Sequence, residues 1–161
     1  PSWFMHGGKE TMDSYDGFSP QEKKEHLIFF KNMQMYYLDD ENRLFLHAGF
    51  TSMHGVVKES YPLNFCTDRT LWEMALAMDR KIDFDHHLYP KRLKLYKEIY
   101  IGHTPTTNYV ESEPMNAINV WNIDTGAAFK GKVTGMNIDT KAFFQSDNLP
   151  SLYPNEKGRN G

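Results

Sequence analysis

Residues 43–49 read RLFLHAG, a short apolar run that ends in a histidine and a glycine. Such a run predicts a buried β-strand, and the glycine indicates the loop that follows it. Residues 98–105, EIYIGHTP, repeat this arrangement with a glycine, a histidine and a proline-marked turn. Each predicted strand therefore delivers a histidine, His47 or His103, to a loop, and functional residues concentrate in loops of this kind.

Helices are predicted on both sides of the first strand. Residues 20–33 begin with a Ser-x-x-Glu capping box that starts at Ser19, with proline at the first helical position. A second helix is predicted from a cap at Asp68 through Arg80, and a third over residues 88–97. The side chains expected to face inward are Leu27, Phe30 and Met33 or Gln34 in the first helix, and Leu71, Trp72, Ala75 and Met78 in the second.

The last part of the chain has a different pattern. Residues 118–138 alternate and turn in the manner of an antiparallel meander, and residues 148–161 are predicted to be a surface tail. The chain has 161 residues, of which 40% are apolar and 24% charged, as in an ordinary globular domain. The sequence therefore predicts one domain over residues 1–147.

Composition argues against several classes of protein. The net charge is -3 and the basic side chains are scattered, so no nucleic-acid partner is expected. No apolar run approaches the roughly 18–20 residues of a membrane span. The single Cys66 cannot form an internal disulfide, which predicts a reducing, cytoplasmic setting. The start at Pro1 has neither a methionine nor the features of a signal peptide, and this predicts that residues have been lost upstream.

His47 and His103 stand apart from the other histidines because each follows an apolar run and is flanked by glycine. Glycine lets a bulky ion or oxyanion approach the backbone, and neutral imidazole is a common ligand of Zn, Mn or Fe. Alternatively, both histidines end a strand and hydrogen-bond a carbonyl, and spacing alone does not separate the two interpretations. The others lack this strand-end context and are interpreted as surface residues or hydrogen-bonded core residues: His6, His26, His54, His86 and His87.

Four groups of residues occur in an order typical of one enzyme family. They are a segment with Trp3, Gly7, Gly8, Thr11, Ser14 and Tyr15, the run Leu46-His47-Ala48-Gly49, the run Ile101-Gly102-His103-Thr104-Pro105, and the turn Ile123-Asp124-Thr125-Gly126-Ala127 followed by Gly131-Lys132-Val133-Thr134. In this order they resemble the calcineurin-like metallophosphoesterases of the serine/threonine protein phosphatase type, and the first segment is similar to that of bacterial members. The resemblance extends from about Trp3 to about Ile138.

The resemblance implies a fold and a metal site. The fold would be of the α/β class with α+β character, as the C-terminal half of an α/β/β/α sandwich with a mainly antiparallel sheet. The complete enzyme would hold two divalent ions, Mn, Fe or Zn, and use them to activate water for hydrolysis of phosphate esters. His47 and His103 would be ligands of the second metal. The residues implied to support them are Gly49, Gly102, Thr104 and Asp124, where Asp124 either partners a ligand or, as we favour, caps its own turn.

Other motifs of that family are absent from the sequence, namely G-D-x-H-G, G-D-x-x-D-R-G and G-N-H-[DE]. Leu71-Trp72 is followed by Glu73-Met74 where the family tends to place an arginine. Two histidines make a poor metal site, so this chain alone is expected to bind one metal weakly and to be inactive. The implied partner is an N-terminal half of the same domain, whose absence would leave an exposed sheet edge.

The implied substrate is a phosphorylated protein or a small phosphoester. Hydrolysis of a dinucleoside polyphosphate or another nucleotide is an alternative within the same family. A non-catalytic scaffold or interaction domain is an alternative from another class. Substrate, metal identity and oligomeric state do not follow from the sequence.

Overall fold

The computed structural model describes residues 3–4 and 8–155. The chain divides into two compact units, Pro1–Gln34 with Glu156–Gly161, and Met35–Asn155. The sheets and the candidate site belong to the second unit. Whether the two units act as the single domain predicted over residues 1–147 stays a prediction. None of the helices in the described ranges has the length and apolarity needed to cross a bilayer.

The described residues of the first unit contain two α-helices, α1 (Gly8–Ser14) and α2 (Pro20–Lys31). The capping box forms, because Ser19 Oγ accepts the Glu22 amide at 3.3 Å and a Glu22 carboxylate oxygen accepts the Ser19 amide at 2.8 Å. The predicted inward face of α2 is wrong, since Leu27 and Phe30 are more than half exposed. Two short helices cannot enclose a core, and α2 has no buried residue.

The second unit is built on a mixed sheet of five strands, and with the helices it gives a fold of the α+β class. Its three inner strands run parallel to one another, and each outer strand is antiparallel to its neighbour. The predicted, mainly antiparallel character therefore holds only at the two sides of this sheet. In spatial order the strands are β1 (Tyr36–Leu38), β2 (Arg43–Leu46), β3 (Glu98–Ile101), β5 (Val120–Asn122) and β4 (Met115–Ala117).

Three helices in this unit connect or cover the strands: α3 (Asn64–Thr67), α4 (Thr70–Ala77) and α5 (Lys91–Lys94). Asp68 caps α4 as predicted, with its carboxylate accepting the amides of Thr70 at 3.1 Å and Leu71 at 3.2 Å. The helix ends at Ala77 rather than Arg80, because Met78 is extended. The helix predicted over residues 88–97 is limited to the single turn of α5.

One face of the sheet forms the core. Leu44, Ile99 and Val120 are fully buried on this face, at neighbouring positions of β2, β3 and β5. α4 packs against β4 and β5, and its predicted inward residues Leu71 and Trp72 are buried. The alternation of side chains along a strand thus places every second residue of the central strands in the core.

The opposite face carries an aromatic row of four residues that are paired in register across four strands: Tyr37, Phe45, Tyr100 and Trp121. The rings of Phe45 and Tyr100 are stacked, with centroids 4.9 Å apart and planes within 8°. Lys141 Nζ lies 5.2 Å from the Tyr100 ring centroid and 5.5 Å from that of Trp121. Tyr37 is 58% exposed, so the row is open on the side of β1.

The antiparallel meander predicted over residues 118–138 is wrong. β5 pairs with β4, which precedes it, and with β3, while β6 (Thr134–Met136) pairs with β7 (Phe143–Gln145) in a separate two-stranded sheet. The chain leaves the main sheet at a turn where Gly126 has φ 81°. The predicted tail contains one helical turn, α6 (Leu149–Leu152), and its residues 156–161 lie outside the described part of the chain.

Candidate functional site

The two strand-end histidines lie together. β2 and β3 are parallel neighbours, so their carboxyl ends meet at the same edge of the sheet. His47 Nε2 lies 3.1 Å from His103 Nδ1, although the residues are 56 positions apart in the chain. The Gly102 amide donates to the His47 carbonyl at 2.9 Å, which joins the two strand ends directly.

His103 has a left-handed backbone with φ 66°, a conformation that a residue with a side chain seldom adopts. Its neighbours hold it there. The Thr104 amide donates to the Gly102 carbonyl at 2.7 Å, and the buried Asn122 amide group donates to the Thr104 carbonyl, also at 2.7 Å. Strain of this kind persists where surrounding contacts fix it, and it is frequent at functional sites.

The loop after His47 is fixed from beneath by buried charges. Gly49 lies against the Asp68 carboxylate so closely that a Cβ at this position would overlap Asp68 Oδ2. Arg92 donates from one guanidinium nitrogen to the Phe50 carbonyl at 2.7 Å, and the same nitrogen lies 3.8 Å from Asp68 Oδ2. Gly49 therefore allows the backbone to lie close to the Asp68 carboxylate, and the ion pair of Arg92 with Asp68 positions the loop.

Asp124 lies beside the histidines and caps its turn. Its Oδ1 accepts the Gly126 amide at 3.0 Å, which agrees with the turn-capping interpretation. It also lines, with His47, His103 and Gly102, a cleft of about 340 Å³ at the strand ends. The same side chain thus shapes the turn and contributes a carboxylate to the cleft.

The geometry of the imidazole pair is compatible with a shared cation. The 3.1 Å between the ring nitrogens is the distance of an imidazole–imidazole hydrogen bond, and two nitrogens about 2.1 Å from one tetrahedral ion would be about 3.4 Å apart. A catalytic site requires about three protein ligands. Within residues 3–4 and 8–155, however, no three His, Cys, Asp or Glu side chains are grouped so as to hold a metal. The pair would account for two ligand positions.

The remaining histidines lie elsewhere. His26 Nδ1 is 2.9 Å from the Tyr15 hydroxyl in the first unit, and His54 is exposed. The rings of His86 and His87 are 4.3 Å apart, and His86 Nδ1 accepts the Leu88 amide. His6, and Gly7 of the first family-like segment, lie outside the described residues.

Sequence reasoning missed Glu59, which organises the loop that follows the site. Its carboxylate accepts the amides of Thr51 at 2.6 Å, Ser52 at 3.0 Å and Tyr61 at 3.2 Å, and the Asn64 side-chain amide at 3.2 Å. Burial acts to raise the pKa of this carboxyl, but the hydrogen bonds outweigh burial and lower the pKa to about 2. No local sequence pattern predicts this role, because the partners of Glu59 are spread over the fourteen positions from Thr51 to Asn64.

We expect the stabilisation by Glu59 to disappear in acid. A glutamate in an unfolded chain titrates near about 4.3, so the contribution is complete above that pH and is lost as the pH falls towards 2. Because the side chain is partly exposed, solvent screening reduces the contribution to about 1–2 kcal/mol. Urea unfolding of the native protein and of Glu59→Gln, measured between pH 7 and pH 2, gives the difference in free energy of unfolding.

That difference should shrink steadily as the pH falls to 2, where the native carboxyl is about half protonated and the unfolded one almost fully protonated. Glu73→Gln is the matched control, since Glu73 is exposed on α4. A difference for Glu59→Gln that stays constant across this range would contradict the assignment.

A scan of protein-family models gives no match for this chain, and no curated protein matches it either. The candidate site therefore stands on its own geometry.

Proposed function

We propose that this chain supplies part of the active site of a metal-dependent phosphoesterase. The observation that carries the proposal is the 3.1 Å approach of His47 Nε2 to His103 Nδ1 at the carboxyl ends of two parallel strands. Paired imidazoles at a rigid sheet edge are suited to holding a divalent cation. The order of motifs along the chain, which resembles the calcineurin-like metallophosphoesterases, supports phosphate-ester hydrolysis as the reaction.

In this proposal, the residues of this chain hold a divalent ion and orient the loops around it. His47 and His103 would hold one of two divalent ions, Mn, Fe or Zn, and such ions, when bound, lower the pKa of a bound water and polarise the phosphoryl group. The hydrogen bond from Gly102 to the His47 carbonyl fixes the distance between the two loops. Asn122 holds the backbone after His103 through the Thr104 carbonyl. The Asp124 carboxylate sets the electrostatics of the cleft wall.

The other ligands are proposed to come from a second segment, which would be the N-terminal half of the same domain. The β1 side of the aromatic row is a suitable surface for it, because the row is in register across four strands and Tyr37 is exposed there, whereas Tyr100 is buried with Lys141 over its ring. A second sheet laid on this face would complete the proposed α/β/β/α sandwich, since packed sheets lie face to face about 10 Å apart. This chain alone would bind a metal weakly and would not turn over substrate.

The proposed substrates are phosphorylated proteins or small phosphoesters, and nucleotide or dinucleoside polyphosphate hydrolysis is the alternative in the same family. A non-catalytic scaffold is the second candidate function. One observation favours it, namely that in the described ranges the histidine pair is joined by no third clustered ligand. The phosphoesterase candidate requires that metal affinity depends on His47 and His103, whereas the scaffold candidate does not.

Calorimetric titration of Mn²⁺ and Zn²⁺ into the chain is the first test. We expect one weak site that is lost in both His47→Ala and His103→Ala and retained in His26→Ala, the matched control in the first unit. Retention of the site in both pair variants would contradict the proposal and leave the scaffold candidate.

Hydrolysis of an aryl phosphate in Mn²⁺ is the second test. The chain alone should stay at the buffer rate, and activity should appear when the segment with the remaining ligands is supplied. Hydrolysis by the chain alone that His103→Ala abolishes would mean that another copy completes the site.

A further inference from the structure

A second cleft, of about 540 Å³, lies at the amino-terminal ends of β2 and β3. Asn42 and Lys97 line it, and each immediately precedes one of these strands, whereas His47 follows β2. The extended chain from Asn42 to His47 spans about 16 Å. The cleft is therefore separate from the histidine site, and its volume is within the range of small-molecule sites.

The wall of this cleft is apolar and aromatic. The rings of Phe84 and Tyr89 are in contact, with centroids 5.1 Å apart and planes inclined by 58°. Leu93, which is buried, and Ile118 extend the same wall. Phe84 is 55% exposed, so a large apolar ring is open to solvent here. Planar aromatic ligands gain most from such a surface.

The shape of the cleft is fixed by the backbone around it. The Asn119 side-chain amide donates to the Leu93 carbonyl at 2.9 Å and to the Tyr96 carbonyl at 2.8 Å, and Asn42 donates to the Leu95 carbonyl at 3.1 Å. These bonds tie α5 to the turns before β2 and β5. A preformed cleft does not have to be ordered when a ligand binds, which favours affinity.

Two ammonium groups lie at the cleft. Lys94 Nζ is 5.0 Å from the ring centroid of Phe84 and 5.2 Å from that of Tyr89. Lys97 Nζ lies 2.5 Å from Glu41 Oε2 in an exposed ion pair. Glu41 also lies 3.4 Å from an Arg43 guanidinium nitrogen, so its charge is shared between Lys97 and Arg43. A compact ammonium group is suited to a carboxylate or phosphate.

We propose that this cleft binds a small aromatic anion, with its acidic group at Lys94 and Lys97 and its ring against the parts of Phe84 and Tyr89 that the Lys94 ammonium does not cover. The Glu41 carboxylate competes with that acidic group for Lys97, so Glu41 sets the affinity. This site does not depend on the proposed hydrolysis, because it shares no residue with the histidine cleft.

The test uses three probes of similar size: 2-naphthoate, neutral 2-naphthylmethanol and non-aromatic cyclohexanecarboxylate. Saturation-transfer NMR with the full chain should give binding of 2-naphthoate, and the other two should bind at least about tenfold more weakly. Equal binding of 2-naphthoate and 2-naphthylmethanol, or no binding of 2-naphthoate at millimolar concentration, would overturn the proposal.

Charge variants distinguish a specific anion site from an apolar surface that binds ligands nonspecifically. Lys94→Met should weaken 2-naphthoate binding about tenfold, whereas Glu41→Gln should strengthen it about threefold, because it frees Lys97. Lys81→Met, an exposed lysine outside the cleft, should change nothing. Unchanged affinity in both Lys94→Met and Glu41→Gln would refute the site. Because the Glu41 variant is expected to gain affinity, misfolding cannot imitate that result.

Discussion

Gly131→Ala is expected to lower the free energy of unfolding of the second unit by about 3 kcal/mol or more. A Cβ at this position would overlap the Thr125 carbonyl oxygen and lie 2.8 Å from the Gly126 carbonyl carbon. Both are backbone atoms, so neither can rotate away. The Gly131 amide also donates to the Gly126 carbonyl, and its carbonyl accepts the Leu149 amide, both at 2.9 Å.

Urea unfolding, followed by far-UV circular dichroism, measures this effect. Gly102→Ala is the matched control for stability, because its added Cβ would meet Asp124 Cβ at an ordinary 3.4 Å. We expect the control to remain within about 0.5 kcal/mol of the native protein. Similar losses in the two variants would show that Gly131 is not held by the turn as described.

Arg92→Met is expected to cost about 3 kcal/mol, the lower end of the range for removing one partner of a buried ion pair. It would leave the Phe50 carbonyl without its donor and the Asp68 carboxylate without its cation. Arg92 and Asp68 are each less than one-tenth exposed. Burial lowers the pKa of the guanidinium, and the charges of Asp68 and Glu59 act in the opposite direction.

A double-mutant cycle tests the pairing. Asp68→Asn in the Arg92→Met background should cost less than Asp68→Asn alone, because the lone buried charge has been removed. Lys91→Met, an exposed neighbour on α5, is the control and should be near neutral. Strict additivity of the two substitutions would contradict a direct ion pair beneath the site loop.

Local signals explain which elements the sequence predicted well. The capping box at Ser19, the Asp68 cap and the two apolar runs before His47 and His103 each lie within a few residues, so neighbouring side chains alone specify them. The ends of helices were less predictable. Met78 leaves the helical conformation while it packs against the core, and that contact depends on the tertiary fold.

Pairing partners were not predictable from the same patterns. An alternating run specifies a strand but does not say which strand lies beside it, and this is why the meander was wrong while β5 itself was real. The approach of the two histidines followed from the motif order, which resembles a family, rather than from spacing. Arg92 gave no signal, because a buried arginine within Lys91-Arg92-Leu93-Lys94 looks like any basic surface residue.

The 56-residue separation of the two imidazoles has a consequence for the order of folding. The β4–β5 and β1–β2 hairpins close short loops and are expected to form early, whereas the parallel contact of β2 with β3 must first overcome the entropy of a long loop. The Gly102–His47 hydrogen bond is expected to form in that later step. We therefore expect the histidine pair to form only when β2 and β3 dock, and a chain halted before that step to contain both hairpins but no site.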